Sequence, residues 1–315
     1  MSEPRKPKAL LPGQTVGLIA ASSAMPEPAR LTRAIAALES MGYNVKVSEG
    51  CYARHGYLAG PDGLRAAELN RMFADDTVDG IVCARGGYGA TRILGRIDYD
   101  ILRANPKVFS GYSDVTALHG AIQRHAGFVT FHGLMGVSDL GDETPDAYSV
   151  EWFLRMLRDT APAGPLEDPE GTPPRRAIVP GRAEGRLIGG NLSLVASCMG
   201  TPYAWDFDGA ILFLEDVNER SYAVDRMLTQ LKNAGVFDRV AGVLLGTFNG
   251  RDPKEDSRDF TTEEVFESTL GDLRVPVLSG IQCGHIPVKL TLPLGIRYRM
   301  DADAGTLRAL EGAVV

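Results

Sequence analysis

The sequence predicts an α/β fold in which a mostly parallel sheet is covered by helices on both faces. Two observations carry this. Through the first half, short apolar runs alternate with stretches whose apolar residues recur at helical spacing, the pattern of strand-helix-strand units. In the second half the alternation turns mixed, with more strand than helix and a closing pair of runs around the turn at Ala304-Gly305. At 315 residues the chain is long enough for two buried cores. Its 44% hydrophobic and 23% charged residues are ordinary for a soluble globular protein. A net charge of −7 gives no electrostatic reason to expect nucleic acid as a partner.

Residues 15–20 predict the first strand, followed by a small-residue loop containing Ser22 and Ser23. A helix begins near Pro28, carries Leu31, Ile35, Leu38 and Met41 on one face, and stops at Gly42. Residues 43–47 form a second strand, 49–60 are irregular, and 64–73 suggest a helix leading to a strand near Ile81. Arg85-Gly86-Gly87-Tyr88-Gly89 follows that strand. A further apolar run from Val108 passes Gly111 and enters a helix with Val115, Leu118 and Ile122 on one face. Ser22-Ser23, Arg85-Gly86-Gly87 and Ser113-Asp114 each follow a strand, and should therefore share the carboxyl rim where open sheets of this kind bind ligands.

Residues 128–131 add a short strand and 150–157 a helix. Six prolines between Pro162 and Pro180 erase any periodic pattern, so 161–182 is expected to be a linker between domains at 1–160 and 183–315. Beyond it lie a strand over 183–188, a turn at Gly189-Gly190-Asn191, and a helix through Val195 and Cys198. A buried strand over 211–214 ends at Glu215, and Val224, Met227, Leu228 and Leu231 mark one face of a helix. Residues 242–245 and 277–278 are further strands; 290–299 and 306–310 form the closing antiparallel set.

The four cysteines are scattered with no C-x-x-C pair, so neither a zinc knuckle nor a redox motif is expected. There is no H-E-x-x-H pattern, no signal-peptide core and no apolar run of membrane-spanning length, which leaves a cytoplasmic protein as the expectation.

Several residues have two readings. Ser113, at a strand-to-helix corner, suits either an N-cap or an acyl-transfer nucleophile, since the following N–H groups open the positive end of a helix. Glu215 ends a run too apolar to leave an acid unpaired, and either pairs with Arg220 or Arg226 or orients a histidine. His285, one of five histidines, lies in a rigid loop between Gly284 and Ile286-Pro287, with Cys283 nearby as a competing nucleophile. The order Ser, Glu, His is that of the α/β-hydrolases, but Val115 stands where their elbow carries glycine. The glycines after Arg85 lack the P-loop lysine. They offer either a tight turn or N–H groups that approach a substrate oxygen.

With these motifs in view, the chain resembles the serine LD-carboxypeptidases, the family of muramoyltetrapeptide carboxypeptidase and the microcin C immunity peptidases. The resemblance runs from about Pro7 to the C-terminal strands. It implies a flavodoxin-like N-terminal domain, a smaller mixed α/β C-terminal domain and a cleft between them. It also implies that Ser113 is the nucleophile, His285 the general base and acid, and Glu215 the residue holding His285. The N–H groups of Asp114 and of Gly87 (or Gly86) would form the oxyanion hole. Arg85, Asn191 and Glu184 are candidate substrate contacts. The implied substrate is a murein tetrapeptide, cut between meso-diaminopimelate and terminal D-alanine by a cytoplasmic homodimer with no metal or organic cofactor. Two alternatives stay open: a peptide-nucleotide immunity peptidase, for which Trp152 and Trp205 flank the proline-rich stretch as the available stacking tryptophans, and a peptide-binding relative without catalysis.

Overall fold

The computed structural model describes residues 3–251 and 258–315. The apolar runs of the first half line up in one sheet. β1 (Thr15–Ile19), β2 (Asn44–Val47), β3 (Gly80–Cys83), β4 (Val108–Gly111) and β5 (Thr130–His132) run parallel in the spatial order 2-1-3-4-5, the flavodoxin arrangement. The chain passes between them through α1 (Pro28–Ser40), α2 (Asp62–Ala74), α3 (Tyr99–Ala104) and α4 (Thr116–His125). β3 and β4 are buried at every position, as befits central strands with both faces covered. α5 (Ala147–Arg158) follows, packing Trp152, Phe153, Met156 and Leu157 inward.

The second sheet takes β6 (Gly164–Pro165), β7 (Arg176–Val179), β8 (Arg182–Asn191), β9 (Ile211–Arg220), β10 (Gly242–Arg251), β11 (Val277–Ser279), β13 (Arg297–Asp301) and β14 (Thr306–Ala309). Their spatial order is 6-14-13-8-9-10-11-7, with β8 to β11 parallel and the outer strands antiparallel. α6 (Leu192–Cys198), α7 (Ser221–Asn233) and α8 (Thr262–Leu270) connect them.

Three expectations are corrected. The proline-rich stretch is not plain linker: it supplies β6 and β7, the outermost strands, and an outer strand tolerates Pro165 because a missing N–H there breaks no ladder. The run 290–299 is not one strand. Gly295, at φ +100°, divides it, and β12 (Leu292–Leu294) crosses back to pair antiparallel with β5 at the edge of the first sheet. Gly189 and Gly190 belong to β8, where a Cβ on Gly189 would fall 2.2 Å from the carbonyl oxygen of Phe213 on β9. Glycine is what keeps β8 paired with β9 as far as Asn191 opposite Glu215.

Candidate active site

The corner after β4 is built by close approach. A Cβ on Gly111 would lie 2.9 Å from Val115 Cγ1, so glycine at 111 is what admits the valine at 115. The turn leaves Ser113 at φ +63°, a left-handed conformation that costs an L-residue about 1–2 kcal/mol. Its hydroxyl caps no helix and, among the described residues, bonds to no protein group. The capping role is therefore not taken, and a strained, unoccupied hydroxyl stands at the rim of the sheet.

The loop after β3 closes on this corner. A Cβ on Gly86 would sit 2.8 Å from Ser113 Cβ and 3.0 Å from its Oγ. One on Gly87, at φ +111°, would sit 2.4 Å from Ser23 Oγ, which accepts the Tyr88 N–H at 3.0 Å. The buried Asp114 carboxylate accepts the Ala90 N–H at 2.8 Å and so ties loop to corner, while burial raises its pKa. Among the described residues the N–H groups of Gly87 and Asp114 meet no protein acceptor.

Glu215 lies within β9, which runs on past it because β10 continues alongside with two shifts of register. The carboxylate is fully buried, and neither Arg220 nor Arg226 pairs with it. Its partner is His285, whose Nδ1 meets Oε2 at 2.7 Å. A proton on Nδ1 leaves Nε2 as the free base. Gly284 makes the approach possible, since a Cβ there would lie 2.8 Å from Oε2. Asn249 Nδ2 donates to the His285 carbonyl at 2.7 Å. The imidazole packs edge-on against Tyr112, with ring centroids 5.0 Å apart and planes at 74°. Tyr112 immediately precedes Ser113, so the histidine held by Glu215 abuts the serine corner. Cys283 drops out as a nucleophile: it is fully buried, its thiol contacts the Leu290 carbonyl at 3.4 Å, and desolvation pushes its pKa well up.

Sequence reading missed the group behind this corner. Lys289 is buried, yet its Nζ reaches Asp139 Oδ1 at 2.7 Å and the Tyr112 hydroxyl at 3.0 Å, and lies 4.3 Å from the centre of the Tyr112 ring. The hydroxyl in turn donates to Asp139 at 3.1 Å. This joins the loop bearing His285 to the residue before Ser113. The signal available was a lysine four residues after His285 within an otherwise apolar run.

Of the other expected contacts, Arg85 lies half-buried beside the glycine loop, with Nη1 donating to the Ala24 carbonyl at 2.9 Å. Asn191 is buried at the rim end of β8, in register with Glu215 on β9; it caps α6 and donates from Nδ2 to Asp216 Oδ1 at 2.9 Å. Glu184 is corrected. It pairs with Arg297 at 2.7 Å and Arg299 at 3.0 Å, seven residues before Asn191, which is about 23 Å back along β8 at its far end from the rim.

Comparison with known proteins gives a consistent result. Residues 16–133 match the LD-carboxypeptidase N-terminal domain, and residues 184–300 the LD-carboxypeptidase C-terminal domain. The chain is 40% identical over 301 residues to the "Probable murein peptide carboxypeptidase" of Bacillus subtilis (strain 168), covering 96% of this chain and 93% of that one. Among solved structures it resembles the microcin C7 self immunity protein MccF in its wild-type apo state, at TM-score 0.91 and 28% identity over 99% and 100% of the two chains. It also resembles the muramoyltetrapeptide carboxypeptidase of Oxalobacter formigenes, at TM-score 0.82 and 30% identity over 94% and 97%.

Proposed function

Because this chain belongs to the LD-carboxypeptidase family, we propose that it hydrolyses the bond between meso-diaminopimelate and the terminal D-alanine of murein tetrapeptides. The proposed setting is peptide recovery in the cytoplasm by a homodimer. The observation that carries the reading is the 2.7 Å contact from buried Glu215 to His285, with that imidazole resting on the neighbour of a strained serine.

In the proposed mechanism Ser113 Oγ attacks the diaminopimelate carbonyl and gives its proton to His285 Nε2. Glu215 stabilises the imidazolium and fixes its orientation. The oxyanion is received by the unpaired N–H groups of Gly87 and Asp114, donors that need no reorganisation as charge develops. His285 returns the proton to the departing amine, D-alanine leaves, and an ester joins Ser113 to the tripeptide. Water then attacks that ester with His285 as base. The tripeptide is released with a new carboxylate, and Ser113 is restored.

A second reading, cleavage of an aminoacyl nucleotide, draws on the likeness to MccF. The higher identity to a murein peptide carboxypeptidase favours the first. Incubation with L-Ala-γ-D-Glu-meso-Dap-D-Ala, its all-L counterpart and an aspartyl nucleotide amide separates them. The expected result is release of D-alanine from the first peptide alone, abolished in a folded Ser113→Ala variant. Cleavage of the nucleotide amide alone, or full turnover by Ser113→Ala, would overturn the proposal.

A further inference from the structure

An enzyme that removes one C-terminal residue meets a free carboxylate immediately beyond the bond it cuts. Consecutive Cα atoms are about 3.8 Å apart, so whatever binds that carboxylate must stand within one residue's reach of the oxyanion donors. Arg85 stands there. It precedes Gly87 by two residues, and its Nη2 lies 3.6 Å from where a Cβ on Gly87 would be, so the guanidinium folds back over the glycine loop.

Its surroundings hold few partners. Fully buried Arg65 pairs with Asp62 and three carbonyls, Arg30 with Asp142, and exposed Arg92 with Asp62, while Arg33, Arg155 and Arg158 bond only to neutral groups. Half-buried Arg85 has one bond, from Nη1 to the Ala24 carbonyl, and among the described residues no carboxylate pairs with it. Burial lowers its pKa, and the nearby charges of Arg30 and Arg54, themselves cations, lower it further. A partly desolvated charge among like charges is costly unless an anion joins it. Nε and Nη2 form an open two-donor edge, the fork that matches a carboxylate bidentately.

We propose that Arg85 binds the C-terminal carboxylate of the substrate through Nε and Nη2, and thereby selects peptides with a free carboxyl terminus. The assignment rests on the hydrolase reading above. It makes Arg85 a specificity-determining residue, and leaves proton transfer to His285.

The test crosses substrate charge with side-chain charge. Rates of D-alanine release from L-Ala-γ-D-Glu-meso-Dap-D-Ala are compared with release of D-alaninamide from the C-terminal amide of the same peptide, for the native chain, Arg85→Met and Arg85→Lys. The native chain should prefer the free acid by about 10- to 100-fold in kcat/KM, the worth of one charge-assisted pair. Arg85→Met should lower the acid's kcat/KM to that of the amide, chiefly through KM, while changing amide turnover less than about threefold. Arg85→Lys should keep part of the preference, since it retains the charge and loses the fork. Equal losses on both substrates would show that Arg85 only holds the Ala24 carbonyl, and an undiminished preference in Arg85→Met would place the carboxylate elsewhere. Either overturns the assignment and leaves the hydrolase reading standing. Turnover of neither peptide by the native chain would remove both.

Discussion

Ser113 keeps a left-handed backbone although it carries a Cβ, and its hydroxyl forms no compensating bond among the described residues. Strain of that kind persists where the surroundings over-determine it, here through Val115 packed under Gly111 and Asp114 tied to Ala90. Glycine adopts this conformation without penalty. Ser113→Gly is therefore expected to be about 1 kcal/mol more stable than Ser113→Ala in urea unfolding, with both variants inactive. An alanine variant as stable as the glycine one would mean the corner is not left-handed in solution. Ser113 and Glu215 stood out because each follows an apolar run, where a bland side chain would be expected, and His285 because it lies in a loop between Gly284 and Ile286-Pro287. Glu184 was misjudged for the converse reason. Its partners, Arg297 and Arg299, come from a strand far along the chain, and no local pattern reveals which end of β8 it occupies.

At the level of elements, α1, α2, α4, α5 and the strands between them followed from spacing, because each strand-helix pair is local, whereas the six residues of α3 (Tyr99–Ala104) are too few to show a period. The strands of the second half did not. β9 continues through Glu215, Asp216, Asn218 and Glu219, a sequence as polar as a loop, because β10 pairs with it beyond the core. α8 was also missed, although its capping box, Thr261 with Glu264, was present as a signal. The loop carrying His285 is anchored by Lys289 rather than by regular structure. Removing one member of a buried ion pair leaves the other charge uncompensated, at a cost of about 3–5 kcal/mol. Lys289→Met should therefore lower unfolding stability by about 3 kcal/mol, and adding Asp139→Leu should recover part of the loss. A single variant losing under about 1 kcal/mol would show that Lys289 is not desolvated as described.

Across the whole molecule, neither sheet is built from one continuous stretch of chain. β12 returns to the first sheet from the far side of the second, and β6 and β7 close the second from within the proline-rich segment. Pairings at such separations leave no periodic trace, whereas the order 2-1-3-4-5 follows from successive local units. The consequence for function is a division of labour. The first sheet presents Ser113 and the glycine loop, and the second presents Glu215 and, after β11, His285. Covalent trapping tests that division most directly. A fluorophosphonate reacts with a serine only where a base activates it, so after exposure the adduct is mapped by peptide mass spectrometry in the native chain and in His285→Ala. The account predicts one adduct, on Ser113, absent from the His285→Ala protein. An adduct on another residue, or labelling of Ser113 undiminished without the imidazole, would contradict it.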